Sequence, residues 1–592
     1  MKLEKKMANT ACGHTEKAAK AAMANIAEIK YQLQEYEPDL SVPTEQNIEN
    51  IISGIENDQK ALYEQALINF LVKEYQVFDI EELKEGNKRE TLWNSLIKLA
   101  TKSNDNDLLA VVFTVFRIIS RDKASVNKLA TQPWLDLLIS HTGLNDKNFD
   151  YTDDSLCKIE EGQKVLWNVL YNSPEIIKAS IENGFLDKIL YRISLYDKLR
   201  IPDAMKFYDV KYTFYMTAIS NEVRQRVISL NGLKLFTSVL KLLLKDTAES
   251  LSQSPRFPAV LNDLRADIAS EGLKVLFNIT INSSSANEDE LILYRDLVRV
   301  LKDYLLASTL TLDKTWQLRN NIVNLLTNVP AACYTELLST VDGSLETAPI
   351  PRSLKFENLN MIVIYEILMF LEVKFKDQTV KMAGDTFSPI LTVLLKGATA
   401  HRSIRKYLRV HILPPLKDME NRPEETDTLR GHLCKFLTSR ITQIRDLTAE
   451  LLFVLCKGNV SRMIKYTGFG NSAGLLAQKG LLGGQKYEVE GDYSSDSEGS
   501  ETEEYAEQKH RINPILGCVE KPHANPMEGM TDEQKEYEAM KLVQQIDKLT
   551  KSGVIQPCVV GKDGKPQPVS HVLELQEGLK AQKISGNDSD SD

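Results

Sequence analysis

The sequence is poor in the residues that break helices, with only 28 glycines and 20 prolines in 592 residues. No convincing run of alternating polar and apolar residues is present, which disfavours an all-β fold. The seven cysteines lie far apart without a C-x-x-C pair, a pattern typical of free thiols in a reducing compartment and not of a disulfide framework. The most apolar stretch, 361–373, contains Glu366 and Glu372, so it predicts a buried helix and no membrane insertion.

The motifs of common enzymes are also missing. The sequence contains no G-x-x-x-x-G-K-[ST], H-E-x-x-H or G-x-S-x-G motif, and its eight histidines are scattered without metal-ligand spacing. The glycines between Gly468 and Gly474 resemble a phosphate loop only superficially, because no predicted strand precedes them; they predict a turn that ends a helix. We therefore expect no covalent catalysis, no catalytic residue, no cofactor and no metal.

The net charge of −10 is unevenly distributed. Nine acidic residues and no basic residue lie between Glu488 and Glu507, and the rest of the chain is nearly neutral. A basic surface is the usual mark of a nucleic-acid-binding protein, so this distribution argues against nucleic acid as a partner.

From about residue 47 to 470, segments with helical apolar spacing follow one another, separated by short polar breaks. Such a succession predicts an all-α fold, an armadillo/HEAT-type α-solenoid with a flexible C-terminal region. The clearest segments are Ala61–Glu74, Leu92–Leu99, Leu108–Ile119, Gly162–Tyr171, Leu230–Leu244, Ile268–Ile279, Asn320–Leu326, Asn360–Phe375 and Thr448–Cys456. Composition predicts a weakly ordered extension at 1–46, the solenoid at 47–470, a Gly-containing acidic linker at 471–524, a partner-binding helix at 525–557 and a disordered tail at 558–592.

One apolar pattern occurs twice. Lys164-Val-Leu-Trp-Asn168 returns as Lys274-Val-Leu-Phe-Asn278, and a weaker copy ends at Asn328. An asparagine within an apolar helix is costly unless it forms hydrogen bonds. In armadillo-type repeats such asparagines line the concave groove and bind a partner's backbone. The alternative is that each amide satisfies a neighbouring carbonyl within the fold.

Arg117 and Arg121 follow a strongly apolar run and lie four residues apart, so they share one helix face with Thr114. Two guanidinium groups at this spacing are able to bind a carboxylate, such as the C-terminus of a partner. An ordinary pairing within the repeat, for example with Asp122, explains the same spacing equally well.

A basic surface is predicted on the helix after His401. At 100° per residue, four bases fall within an arc of about 100°, while apolar residues occupy the other side. Charge runs are usually solvated faces, but a patch of one sign favours an anion, in particular a phosphate. The four bases are Arg402, Arg405, Lys406 and Arg409.

The acidic tract contains candidate phosphorylation sites, and their phosphates are candidate ligands of this basic surface. Ser495 and Ser500 each have a glutamate three residues on, the spacing favoured by acidophilic casein-kinase-type kinases. Each phosphorylation adds about −1.5 to −2 charge. We hypothesise that phosphates on these serines fold the tract onto the 402–409 surface. The alternative is a tract that only increases solubility.

A final helix is predicted at 531–550. Thr531 and Gln534 form a capping-box pattern, and five apolar residues lie on one arc of about 120°. Because a linker separates this helix from the solenoid, its apolar face must either fold back or bind a partner, and we favour a partner. The apolar residues are Ala539, Leu542, Val543, Ile546 and Leu549.

Four blocks of sequence resemble one known family. They begin at Arg117 (RIISRD), Val275 (VLFNIT), Ile464 (IKYTGFGNSAGLL) and Asn525 (NPMEGMTDEQK). These blocks look like signatures of the synembryn family, the chaperones and guanine-nucleotide exchange factors of heterotrimeric G-protein α subunits (Gα). The resemblance extends from about residue 47 to 557.

The resemblance implies a solenoid that holds the C-terminal helix of Gα in its concave groove and releases GDP by stabilising nucleotide-free Gα. Arg117, Arg121 and Asn168 match groove positions, and the 531–549 helix would contact the nucleotide-binding domain. Ser495 and Ser500 match activating phosphosites, although Ser500 replaces the more usual threonine. We expect a monomer in the cytoplasm, including the cell cortex. A general armadillo adaptor, such as an import carrier for basic peptides, is the alternative; it predicts an acidic, tryptophan-lined groove.

Overall fold

The computed structural model describes residues 37–84, 86–144, 151, 153–173, 176–178, 182–250, 259–281, 287–340, 354–377, 384–482, 502–520 and 527–570. Regular structure in these ranges is overwhelmingly α-helical, and every strand is only two or three residues long. The predicted all-α class is therefore confirmed. The chain divides into two compact units, of which unit 1 comprises residues 1–283 and 307–328 and unit 2 comprises residues 284–306 and 329–592.

Unit 1 contains thirteen α-helices with described bounds, a short 3-10 helix at Glu81–Leu83 and one parallel pair of two-residue strands, β1 (Val260–Leu261) and β2 (Ser308–Thr309). The helices are α1 Thr44–Glu56, α2 Lys60–Glu74, α3 Lys88–Lys102, α4 Asn106–Ile119, α5 Lys123–Leu129, α6 Gln132–His141, α7 Asp153–Asn172, α8 Phe185–Ile193, α9 Asp203–Ile219, α10 Asn221–Ser229, α11 Gly232–Ser250, α12 Asp263–Thr280 and α14 Leu312–Asn328. The intervening α13 (Glu288–Leu306) belongs to unit 2.

Packing in unit 1 follows helix pairs. Six helices contact one another in the order α2, α4, α7, α9, α12 and α14. Most of them also pack on the helix that precedes them in sequence, as α2 does on α1 and α12 on α11. Stacked helix pairs of this kind are the armadillo/HEAT-type arrangement, in which each layer buries its apolar face against the next.

Helix α4 shows why these segments fold as they do. Asp105 caps its first turn by accepting hydrogen bonds from the backbone amides of Asp107 and Leu108. Every residue from 108 to 116 is buried, so the helix is apolar on all sides and lies inside the unit.

One predicted helix begins at the wrong place. The segment Leu230–Leu244 is continuous in its apolar pattern, but in the structure the helix is interrupted at Asn231, which has a φ of 58°. Asparagine tolerates this left-handed conformation better than most residues, so α10 ends before it and α11 starts after it. Leu230 is 40% exposed at the break.

Unit 2 combines helices with short strands. Its further helices are α15 Ile362–Lys376, α16 Gly384–Ala400, α17 Arg402–Ile412, α18 Leu429–Leu437, α19 Thr442–Leu455, α20 Val460–Thr467, α21 Phe469–Lys479, α22 Glu503–Gln508 and α23 Asp532–Lys551. Its strands are β3 Ser339–Thr340, β4 Lys355–Phe356, β5 Leu359–Asn360, β6 Ile512–Asn513, β7 Cys518–Val519, β8 Cys558–Val560 and β9 Pro566–Pro568. Antiparallel pairs join β5 to β3 and β4, β6 to β7, and β8 to β9. Helix α16 packs on α15, α17 and α19.

Two parts of the predicted flexible region are folded. Residues 502–520 carry α22 and the β6–β7 hairpin, and the amide of Val519 donates to the carbonyl of Met419 (2.7 Å). Residues 558–570, assigned above to the tail, form the β8–β9 hairpin, and the amide of Leu482 donates to the carbonyl of Gly564 (3.2 Å). Residues 37–44, assigned to the extension, hydrogen-bond to α2, for example from Thr44 to Glu74.

Among the described helices, none alone has the length and apolar character to span a membrane. Helices 221–229 and 232–247 meet that test as a pair, by length and composition only, with a bend of 76° between them.

Candidate functional site

The three asparagines singled out above make the same contact at three places in unit 1. Each side-chain amide donates to a backbone carbonyl and to a hydroxyl three residues later, both on a neighbouring helix. Asn168 bonds to Arg117 O (3.2 Å) and Ser120 Oγ (3.4 Å), Asn278 to Phe214 O (3.4 Å) and Thr217 Oγ1 (3.1 Å), and Asn328 to Phe277 O (3.0 Å) and Thr280 Oγ1 (3.2 Å).

We call these three contacts the asparagine clamps. They partly answer whether each amide binds a neighbouring carbonyl or a partner. The amide donors are used within the fold, as the alternative interpretation proposed. All three side chains nevertheless remain half-buried and not fully buried. An amide whose N–H groups are held internally keeps an oxygen acceptor, so the groove-lining role of Asn168 and Asn278 stays a prediction.

Arg117 faces a buried carboxylate. Its Nε donates to Glu161 Oε2 (3.0 Å), and its guanidinium lies 5.1 Å from the ring centre of Tyr75. Lys164 and Thr114 also donate to Glu161, whose side chain is almost fully buried. The Nη2 atom of Arg117 is buried and has no hydrogen-bond partner among the described residues.

Arg121 caps the C-terminal end of α2. It donates to the backbone carbonyls of Tyr75 (2.7 Å) and Val77, and its guanidinium lies 4.9 Å from the ring centre of Phe78. Burial and the neighbouring charge of Arg117 lower the pKa of Arg121. Asp122, the partner considered above, lies 3.6 Å from Arg89. The two arginines thus bind different groups within unit 1.

Aromatic side chains accompany the asparagines, and the sequence interpretation overlooked them. Trp167 precedes Asn168; its ring stacks on Tyr171 and meets Tyr215 edge-to-face, with ring centres 5.9 and 5.4 Å away. Tyr171 is 54% exposed. The repeated pattern held the signal, because an aromatic residue precedes the asparagine in both strong copies.

The predicted basic surface on α17 is divided by its contacts. Arg405 is buried and donates to the carbonyl of Ala398 (2.9 Å). Lys406 donates to Glu357 (2.8 Å), and this pairing lowers the pKa of Glu357. Arg402 is exposed on the helix surface.

Arg409 instead joins bases from other elements around a cavity of about 280 Å³. The additional bases are Arg462 and Lys465, both on α20, and Lys509, so the cavity collects bases from three places in the sequence when Arg409 is included. No linear pattern brings residues 409, 462 and 509 together, so this basic cavity was not predictable from α17 alone.

Ser495 and Ser500 lie outside the described residues. The chain that follows them packs beside the basic cavity: Thr502 donates to the carbonyl of Leu416 (2.6 Å), and Tyr505 lies under the ammonium of Lys465, 3.8 Å from the ring centre. Tyr505 shares a small apolar cluster with Leu416 and Met419.

The glycines of the 464–476 block have a structural role. Gly468, with a φ of 75°, separates α20 from α21, which confirms the predicted helix-ending turn. The amides of Phe469 and Gly470 donate to the carbonyls of Pro514 (2.8 Å) and Ile515 (2.9 Å). Small residues at this point let the backbone of the β6–β7 hairpin approach the start of α21.

The C-terminal helix α23 begins as predicted, with both hydrogen bonds of the capping box between Thr531 and Gln534. No residue of this helix is buried. Leu542 is 57% exposed and Leu549 42%, while Ala539 is exposed and Val543 and Ile546 are half-exposed. Of the two alternatives for its apolar face, folding back is not what the structure shows.

The chain is similar to known proteins over most of its length. A family model described as guanine nucleotide exchange factor synembryn, named Ric8, matches residues 112–565. This chain belongs to the synembryn family. It is 37% identical to Chaperone Ric-8A of Gallus gallus (87% of this chain, 93% of that protein) and 35% identical to Chaperone Ric-8A of Xenopus tropicalis (92% and 99%). It is 36% identical to Chaperone Ric-8 of Drosophila pseudoobscura pseudoobscura (86% and 93%).

Proposed function

We propose that this synembryn-family chain is a guanine-nucleotide exchange factor and folding chaperone for G-protein α subunits. The observation that supports it most is the family match, which covers both the asparagine clamps and the exposed helix α23. The general-adaptor alternative loses weight for the same reason, because it accounts for neither the match nor α23.

The partner surface that we propose in unit 1 is a groove lined by Arg117, Arg121, Asn168 and Asn278. The C-terminal helix of Gα lies along it, near the exposed ring of Tyr171. Withdrawing that helix from the body of Gα loosens the guanine-binding loops, and GDP leaves. The exchange needs no covalent step, because a protein that binds the nucleotide-free state most tightly shifts the equilibrium towards it.

The apolar face of α23 is the second proposed contact, with the nucleotide-binding domain of Gα. Five apolar side chains, none of them buried, lie on one arc of a capped helix of 20 residues. An amphipathic helix with an uncovered apolar face is suited to a groove on a partner.

The acidic tract regulates the chain in this proposal. Phosphates added to Ser495 and Ser500 by an acidophilic casein-kinase-type kinase bind at the basic cavity that Arg409, Arg462 and Lys465 line. Residues 502–505, packed beside that cavity, keep the phosphates near it. Phosphate–guanidinium hydrogen bonds are charge-assisted and among the strongest in proteins.

GDP release from purified Gα tests the proposed function directly. The full chain accelerates release, and excess GTPγS then dissociates the complex. A release rate that is the same with and without the chain overturns the proposal.

Binding of a labelled peptide with the sequence of the Gα C-terminal helix tests the groove. Arg121→Glu is unsuitable because it also removes the cap of α2. Arg117→Lys keeps the charge that faces Glu161 but removes the planar, forked guanidinium, which is partly exposed, and it weakens binding by about tenfold, the value of one charge-assisted hydrogen bond. Arg89→Lys, in the same unit, is the matched control and leaves the affinity unchanged.

Limited proteolysis tests the regulatory step. Phosphorylation by a casein-kinase-type enzyme protects the 483–501 tract, and the double variant Arg409→Ala, Arg462→Ala abolishes the protection. Ser495→Ala, Ser500→Ala shows no response to the kinase. Equal cleavage of phosphorylated and unphosphorylated wild-type protein contradicts the proposed docking.

A further inference from the structure

Lys211 on α9 has an unusual environment, a cage of aromatic rings. Its ammonium lies 4.2 Å from the ring centre of Trp167, 5.0 Å from that of Phe207 and 5.9 Å from that of Tyr208. Trp167 comes from the neighbouring helix α7, so the cage is formed by two adjacent layers of unit 1.

Lysines on the adjacent helices α7 and α12 are paired with carboxylates instead. Lys164 donates to Glu161 (2.7 Å) and Lys274 to Glu271 (2.8 Å). In the described part of the chain, no carboxylate lies within 4.0 Å of the ammonium of Lys211. Burial and the charge of Lys274 lower the pKa of Lys211, against the attraction of Glu271.

The rings satisfy only part of what the ammonium requires. Aromatic faces attract a cation through their quadrupole, but they carry no net charge and are poor hydrogen-bond acceptors. An ammonium has three donors, and a carboxylate both accepts their hydrogen bonds and neutralises the charge. A lysine held mainly by rings is therefore suited to an incoming carboxylate.

The location of the cage indicates which molecule supplies the carboxylate that Lys211 binds. Trp167 is adjacent to Asn168, and Asn278 donates to the carbonyl of Phe214, one turn after Lys211 on the same helix. The cage thus lies between two of the asparagine clamps, on the proposed path of the partner helix. Arg121 donates to the carbonyls at the end of α2, and Nε of Arg117 donates to Glu161, so Lys211 is a further cation on this path that is able to meet an acidic group of the partner.

We infer that Lys211 is a specificity-determining residue that receives a carboxylate of the bound Gα C-terminal helix, while the surrounding rings pack on its neighbouring apolar atoms. This inference rests on the proposed function. The carboxylate is either the C-terminal α-carboxylate or an acidic side chain near it, and both present the same chemistry to the ammonium.

The experiment measures binding of the labelled Gα C-terminal peptide to the full chain by fluorescence anisotropy. Lys211→Met retains an unbranched apolar stem among the rings but removes the charge, and it weakens binding about tenfold or more, as expected for a lost charge-assisted hydrogen bond. Lys211→Arg, which keeps the charge, stays within about threefold of wild type. Lys374→Met is the matched control, since Lys374 lies 5.3 Å from the ring centre of Phe370 in unit 2, and it has no effect.

Neutralised peptides identify the carboxylate, and they test the inference on the wild-type protein even if Lys211→Met does not fold. A peptide with a C-terminal amide and a set of Asp→Asn or Glu→Gln peptides are compared. The peptide that lacks the carboxylate bound by Lys211 binds wild type about tenfold more weakly. That peptide also binds wild type and Lys211→Met with equal affinity.

The inference is overturned if Lys211→Met binds the natural peptide as wild type does, or if no neutralised peptide binds wild type more weakly. A different result marks failure of the proposed function itself: wild type then neither binds the peptide nor accelerates GDP release, and the inference about Lys211 is rejected with it. Wild-type exchange activity together with an unaffected Lys211→Met rejects the inference alone.

Discussion

Arg192 and Asp209 form an ion pair inside unit 1 in which neither side chain is exposed. Arg192 Nε lies 2.9 Å from Asp209 Oδ2, and Tyr196 donates to the same oxygen at 2.9 Å. Arg192 also donates to the carbonyl of Thr142 (2.9 Å), so the pair connects the end of α6 with α8 and α9. The stability of unit 1 depends on both partners, because a charge buried alone is far more costly than a buried pair.

We predict that Arg192→Met lowers the free energy of unfolding by about 3–5 kcal/mol, since it leaves the Asp209 carboxylate buried without its counter-charge. The double variant Arg192→Met, Asp209→Asn recovers much of that loss, because the neutral amide still accepts the hydrogen bond from Tyr196. Urea unfolding followed by circular dichroism measures both. Equal destabilisation by the single and double variants would show that lost packing, and not the unpaired charge, sets the cost.

The pH dependence of unit 1 can be tested at Glu74. Burial raises the pKa of Glu74, although Thr44 donates a hydrogen bond to its carboxylate (2.7 Å). A raised pKa in the folded state means that this residue contributes stability below its unfolded pKa, about 4.3, and loses that contribution as the pH rises through the folded value. Glu74→Gln keeps an acceptor for Thr44 and removes the charge. We predict a higher unfolding temperature than wild type at pH 7 and no difference below about pH 4. Exposed Glu49→Gln is the control, and an equal response of both variants at pH 7 contradicts the assignment.

At the scale of the elements, the sequence predicts the long helices well and the short strands poorly. Helices such as α4 and α23 carry their own caps and apolar periodicity, so local rules locate them. The β6–β7 hairpin depends on contacts with Met419 and with the start of α21, more than 40 residues away in sequence, and no local pattern encodes those contacts. The basic cavity is unpredictable for the same reason, because its residues come from distant parts of the sequence. The repeated pattern identifies the three asparagines but not the carbonyls that they bind, because a repeat marks a position without showing what it contacts.

The docking of the β6–β7 hairpin is open to a direct test. A Cβ atom on Gly468 would lie 3.0 Å from the carbonyl oxygen of Ile515 and 3.1 Å from the amide of Gly517, at a φ of 75°. We predict that Gly468→Ala costs about 1–3 kcal/mol through strain and exposes residues 502–520 to limited proteolysis. Gly474→Ala is the matched control in α21, because its added methyl group meets no atom within 4 Å. It leaves the cleavage pattern unchanged and stabilises the helix by about 0.5–1 kcal/mol. Unaltered proteolysis of Gly468→Ala would show that the hairpin does not depend on this close approach.

At the scale of the whole molecule, the proposed function places one Gα contact in unit 1 and another on α23 of unit 2. Two linked contacts on one partner raise the overall affinity through effective concentration, without any new interaction. The proposed groove residues lie on packed helices, whereas α23 exposes its apolar residues and contributes little to the core. Substitutions on α23 are therefore able to separate partner binding from folding.

We predict that Leu542→Asp with Leu549→Asp leaves binding of the Gα C-terminal peptide unchanged but weakens binding of whole, nucleotide-free Gα by about 10²-fold or more, because only the second contact is lost. GDP release slows in parallel. Both leucines are largely exposed, so the melting temperature stays the same. Tyr537→Asp is the control: it is 69% exposed and lies on the opposite side of the same helix, and it keeps wild-type affinity. If the double variant binds whole Gα as wild type does, α23 is not a Gα contact; if it also loses the peptide, the two contacts are not independent.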